Sequence, residues 1–225
     1  MPTLRSVRRG SFTSVGLCVA VLVAAPAAMA RDADVYPPDS KPFGKSYGEW
    51  SALWWTQAVS DRGADAFKPG EVDCSALGTR KVVFLVGTSS TSPVERSCRI
   101  SRKVAILFPV INGECSQAEG DGSTDAELRA CAARLADTFT NLHAKLDGTP
   151  LKRLKRFRFA SPLFTFSPVA GNPIGIPPAT NSPSVADGYW VMLKKLKKGT
   201  HTLSFGGASP PNNFTTATTY KLTVR

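Results

Sequence analysis

The sequence predicts a mostly β, α+β fold: an antiparallel β-sandwich-like domain carrying two packed amphipathic helices. Three observations lead there. Apolar and polar residues alternate in several segments after residue 147, the period of half-buried strands. Two stretches, opening at Ser46 and Thr124, instead repeat apolar residues at helical spacing. Between them, residues 103–115 form a near-continuous apolar run ending in Asn112, Gly113, Glu114 and Cys115, which reads as a buried strand delivering polar residues to its end. Pro109 cannot donate to a ladder, so this strand lies at an edge or bulges there.

In chain order, residues 1–30 read as a signal peptide: Arg5, Arg8 and Arg9, an apolar run over 15–25, then Ala28, Met29 and Ala30 as the cleavage pattern. The run is short of the roughly 20 residues of a spanning helix, so no transmembrane segment is expected after cleavage. A secreted or periplasmic location follows. Residues 31–45 are polar and proline-dotted, an extended N-terminal arm, and residues 46–225 are read as one β-rich globular domain. Four cysteines survive cleavage and allow three pairings, of which Cys74–Cys98 with Cys115–Cys131 is favoured because each links adjacent elements, each stabilising by about 3 kcal/mol through loop closure. Without a CxxC motif, and with only two histidines, they do not form a zinc site.

Residues 46–59 place Tyr47, Trp50, Leu53, Trp54 and Ala58 on one helical stripe behind a Ser46 cap. Trp55 and Glu49 fall off this stripe and become candidate ligand residues, although Trp55 also suits a second buried contact and Glu49 a bond tying the helix to the sheet. The apolar run 81–86 reads as a central strand. Residues 94–100 and the 103–111 run read as antiparallel neighbours joined by Ser101 and Arg102. Oxygen-bearing residues at 119, 121, 123 and 125 have the alternation of a calcium loop, but Thr124 stands where such a loop needs glycine. Thr124 to Glu127 is better read as a capping box opening a helix that runs on through Leu146, with His143 at its margin. Five prolines make 167–188 a long connection without periodicity.

Charge is uneven. Residues 31–147 hold 14 Lys/Arg against 16 Asp/Glu, whereas 148–225 hold 11 against the single acid Asp187. One-signed charge concentrates anionic partners. The clusters are Lys152, Arg153, Lys155, Arg156 and Arg158, and Lys194, Lys195, Lys197 and Lys198. Export removes nucleic acid as a routine partner, leaving an anionic polysaccharide or envelope surface, while a solvated face serving solubility accounts for the same composition.

No G-x-S-x-G, H-E-x-x-H or phosphate-loop motif occurs, and no cofactor or metal is expected. The motifs YGEWSALWW (47–55), FLVGT (84–88), FPVINGECS (108–116), DGYWVML (187–193) and GTHTLSFGG (199–207) resemble a family of uncharacterised exported bacterial proteins across most of the mature chain. The resemblance implies export and one shared fold, and carries over no catalytic residue. The last segments, closing with YKLTV (220–224), are also similar to the final strands of immunoglobulin-like modules. The expectation is a noncatalytic binding or envelope-associated protein with Trp55, Glu49, Asn112, Glu114 and the 194–198 lysines as ligand residues. The alternative is a carbohydrate-active hydrolase using Glu49 and Glu114 as acid and base.

Overall fold

The computed structural model describes residues 34–225; the expected signal peptide lies outside them. Eleven strands are described: β1 (Gly70–Glu71), β2 (Val82–Phe84), β3 (Val94–Ile100), β4 (Ala105–Ser116), β5 (Thr140–Leu146), β6 (Thr149–Pro150), β7 (Arg158–Ala160), β8 (Phe164–Phe166), β9 (Ser182–Leu193), β10 (Gly199–Ser209) and β11 (Phe214–Val224). The helices are α1 (Tyr47–Ala58), the single turn α2 (Gly63–Ala66) and α3 (Asp125–Asp137).

The strands form a six-stranded sheet in the order β1-β3-β11-β10-β5-β6 and a five-stranded one in the order β2-β4-β9-β7, with β8 also pairing β9. Both are mixed. The pairs β1–β3, β3–β11 and β2–β4 are parallel, so the strictly antiparallel pattern holds only for the rest. Alternation along β4 and β9 sorts their side chains into two layers. Phe108, opposite Val191, faces the six-stranded sheet and lies 4.7 Å from the Phe205 ring. Pro109, opposite Trp190, faces α1, where Trp190 lies 5.4 Å from Trp54. With both faces covered, β9 is buried along nearly its whole length, not half-buried as its alternation suggested.

Capping boxes start both long helices. Ser46 N donates to Glu49 Oε2 at 2.7 Å while Glu49 N donates to Ser46 Oγ at 3.2 Å, and Thr124 and Glu127 repeat the arrangement. Glu49 therefore serves its own helix end instead of binding the sheet. The disulfides are Cys74–Cys98 and Cys115–Cys131, the pairing favoured from the sequence.

Several further expectations are corrected. The helix from Thr124 stops at Asp137, where Thr138 donates its hydroxyl to Leu135 O. Residues through Leu146 then form β5, with Ala144 and Leu146 inward and His143 and Lys145 outward. Asp147 and Gly148, at φ 51° and 76°, make the two-residue turn into β6. Second, β3 and β4 lie in different sheets, and the turn between them is pinned to the C-terminus by Arg102 N donating to Arg225 O. Third, β2 is an edge strand, apolar because both its faces are covered, and its free edge is met by residues 77–79. Fourth, the arm is tied down: Val35 bridges Leu193, Tyr36 N donates to Met192 O, and Tyr47 Oη donates to Tyr36 O. The proline-rich connection is also shorter than expected, because β9 begins at Ser182.

Candidate functional site

At one end of the sandwich a cavity of about 250 Å³ opens between α1, the middle of β4, the start of β11, Leu135 and Phe139, and Ile174 of the proline-rich connection. β4 shifts register between Pro109 and Ile111, the bulge that Pro109 predicts, and the residues around it line the cavity. Asn112 reaches its place because Gly188 is its partner on β9: a Cβ there would stand 2.5 Å from Asn112 Cα. Trp55 contributes from α1 and is only 5% exposed, so the second buried contact anticipated for it is present.

The lining carries no charged side chain. Its polar members include Thr88, Ser89, Asn112, Ser209, Asn212 and Thr216 among tryptophan and phenylalanine rings. Trp55 Nε1 and Asn112 Oδ1 are buried without a hydrogen-bond partner, as are Trp190 Nε1 and Thr218 Oγ1 on the adjoining strands. Such orphaned groups are uncommon in folded proteins.

Arg96 fixes the rim, and sequence reasoning passed over it. Only 3% exposed, it donates to Lys68 O, Phe67 O, Gly87 O and Val86 O at 2.9, 2.7, 3.0 and 3.3 Å, joining the segments that bring Phe67 and Gly87 to the cavity. Its guanidinium also lies 5.5 Å from the Tyr220 ring centroid. The signal was parity: Arg96 shares its inward phase with Cys98 and Ile100.

Glu114 and Glu49 are engaged separately. Glu114 is 8% exposed and accepts from Ser184 Oγ at 2.5 Å. Burial, a hydrogen bond with Glu119, and the charges of Glu119 and Asp121 push its carboxyl up to about 10. Glu49 is exposed, and its Oε2 takes both the amide and the hydroxyl of Ser46, which hold its carboxyl below the usual range. Neither residue lines the cavity beside Trp55 and Asn112.

The acidic turn is likewise consumed by structure. Asp121 accepts from Ser116 N, Asp125 pairs with Arg129, and Glu127 caps α3. Asp121 lies close to the sulfurs of Cys115 and Cys131, but these are joined in a disulfide and offer no thiolate to a metal.

Both basic clusters reach Tyr36, the second through Lys194, while Lys195, Lys197 and Lys198 do not line the cleft there. A cleft of about 160 Å³ runs between the arm and residues 151–157, lined by Tyr36, Pro37, Lys152, Arg153, Arg156 and Phe157 among others. Lys194 Nζ sits 5.9 Å from the Tyr36 ring centroid. Lys152, Arg153, Lys155 and Arg156 are exposed, as are Lys195, Lys197 and Lys198 on the turn before β10. Arg158 does not belong to this surface, because it is paired with Asp187 and Asp137.

No helix among the described residues is long and apolar enough to cross a membrane. No protein-family model matches the sequence, and no curated protein matches it significantly. Among solved structures, the chain is similar to the cysteine protease inhibitor EhICP2 from Entamoeba histolytica, at 14% identity and a TM-score of 0.24, over 66% of this chain and 100% of that one. It is also similar to PbICP-C in complex with falcipain-2, at 10% identity and a TM-score of 0.27, over 64% of this chain and 99% of that one. Likenesses this distant define neither a family nor a partner.

Proposed function

We propose that the protein is an exported, noncatalytic binding protein of the cell envelope that holds an anionic polysaccharide against the Tyr36 cleft. The observation that carries this reading is the gathering of cations distant in sequence around one aromatic side chain: Lys152, Arg153 and Arg156 line the cleft that Tyr36 walls, and Lys194 Nζ lies 5.9 Å from the ring centroid. The guanidinium fork of an arginine can meet two oxygens of a carboxylate or sulfate group at once, and the arm that forms the opposite wall is fixed by backbone bonds. Two disulfides fit an oxidising compartment. The engagement of Glu49 in a helix cap and of Glu114 with Ser184 and Glu119 gives the hydrolase alternative no support.

Retention on an anionic polysaccharide column tests it. The variant Lys152→Gln/Arg153→Gln/Arg156→Gln is expected to elute at clearly lower salt than Lys68→Gln/Lys103→Gln/Lys221→Gln, which removes the same charge elsewhere. All retention should fade toward 1 M salt, where the screening length falls to about 3 Å. Equal shifts for the two triple variants would mean that only net charge acts, and the cleft would lose its role.

A further inference from the structure

The six-stranded sheet ends at an edge that is left open. Asp147 N donates to Thr202 O, which sets the phase of the β5–β10 ladder: residues 143 and 145 turn their backbone groups toward β10, while 142, 144 and 146 turn theirs to the outer side. On that outer side β6 pairs with Lys145 and Leu146, and Leu151 N donates to Ala144 O at 2.8 Å. One more step of the same register would set residue 153 against Leu142. Instead Arg153 takes a left-handed backbone, φ 57° and ψ 34°, uncommon for any residue but glycine, and turns the chain away from the sheet. The N–H and C=O of Leu142 are left without a backbone partner among the described residues. A groove of about 500 Å³ opens there, with Asn141 and Leu142 on one side, Arg153, Leu154 and Lys155 on the other, and Tyr189 of β9 joining them. Arg153 and Lys155, both exposed, are its only charged residues.

We infer that this groove takes an extended acidic segment of a partner protein, which adds to β5 as a further strand. One residue of the segment occupies the ladder position that Arg153 vacates and exchanges N–H···O bonds with Leu142, while neighbouring carboxylates meet Arg153 and Lys155. Main-chain pairing supplies the fit, and the two cations select the sign of the guest. A second copy of this chain is the other ready source of a strand, but joining β5 to β5 would bring a second set of the same cations to the groove, an arrangement that opposes edge-to-edge association. A polysaccharide offers no backbone N–H and C=O at strand spacing. Arg153 lines both this groove and the Tyr36 cleft, whereas Lys155 lines the groove and not the cleft, so the two sites can be tested apart.

The probe is a capped pentapeptide alternating glutamate and valine. Its comparisons are the same peptide N-methylated at every amide and a version with lysine for glutamate. Titrated into the full exported chain labelled with ¹⁵N, the probe is expected to move the Leu142 amide resonance in a saturable manner and to slow that amide's exchange with solvent about tenfold or more. The methylated and lysine peptides should leave Leu142 unprotected. Lys155→Glu should weaken the probe about three- to tenfold, while Lys103→Glu, the same change elsewhere on the surface, should leave it nearly unchanged. Equal binding of the methylated peptide, or a Leu142 amide unprotected at saturation, would mean that no strand is added and would overturn the inference. Equal weakening by Lys155→Glu and Lys103→Glu would overturn it as well, since only net charge would then act. Protection of Leu142 in the chain alone, rising with protein concentration, would give the edge to a second copy instead of a partner. None of these results bears on the column comparison of the Lys152, Arg153 and Arg156 variant.

Discussion

Ser184 Oγ lies 2.5 Å from Glu114 Oε2 across the β4–β9 ladder, and the carboxyl it meets keeps its proton at neutral pH. Burial is the main cause, followed by the bond and charge of Glu119 and the charge of Asp121, which together outweigh the Ser184 bond. The folded-state value, about 10, exceeds the unfolded one, so the folded chain retains a proton that the unfolded chain releases. Its contribution to stability is fully present below the ordinary carboxylate range and is lost as pH rises from there toward about 10.

Glu114→Gln mimics the protonated acid and is therefore expected to raise the unfolding midpoint at pH 8, with the advantage shrinking as pH approaches 5. Urea unfolding at both values measures it. Glu49→Gln is the control and should leave this slope alone, since glutamine also serves at the third position of a capping box. A Glu114→Gln midpoint below wild type at both pH values would show that Glu114 is needed as a charge.

Arg158 gives a second expected outcome. Its Nη2 is 2.9 Å from Asp187 Oδ2 and 3.1 Å from Ala133 O, and its Nη1 is 2.6 Å from Asp137 Oδ1, so one guanidinium joins β7, β9 and α3. Asp187 is buried, and without Arg158 its carboxylate would stand in the interior without its ion-pair partner. Arg158→Met should cost about 3 kcal/mol in urea unfolding, and adding Asp187→Leu should recover part of that loss. A double variant less stable than Arg158→Met would show that Asp187 has other work than pairing.

Much of this architecture was legible in the chain, for local reasons. Ser46 with Glu49 and Thr124 with Glu127 declare their helix starts within four residues. The strict alternation of β11 declares a half-buried strand, whereas β10 alternates only up to Phe205 and is buried on both faces beyond it, and Cys115–Cys131 joins the neighbouring elements β4 and α3. What failed was whatever depends on the other layer. Leu142 and Leu146 satisfy a helical stripe and a strand alternation equally well, and the outcome was decided by pairing with β10, which lies some sixty residues on. The apolar 81–86 run announces two covered faces but not two ladder partners, so an edge strand read as a central one. Trp55 was visible as a residue that the helical stripe left out and Asn112 as a polar residue delivered by the apolar 103–111 run, while their meeting on one cavity depended on the β4 bulge.

His201 supplies the last expected outcome. Its Nδ1 lies 2.7 Å from Asp147 Oδ2 and its Nε2 lies 2.9 Å from Lys197 O, so both ring nitrogens face acceptors. Only the imidazolium can donate to both. Burial disfavours that charged form, yet the Asp147 carboxylate and the Lys197 carbonyl together outweigh it and raise the histidine above its ordinary value. The stability it adds is therefore fully present below the unfolded value near 6.5 and is lost as pH rises through the folded one. An NMR titration should place the His201 midpoint above 6.5, and Asp147→Asn should bring it down by removing the charge while keeping a side-chain acceptor for Thr202 N. Because Lys197 O belongs to the turn that carries Lys194, Lys195, Lys197 and Lys198, loss of this bond at alkaline pH should also loosen that turn. Faster amide exchange over 194–198 in Asp147→Asn than in wild type at pH 6 would demonstrate the coupling, and identical exchange would confine the histidine's effect to its own hairpin.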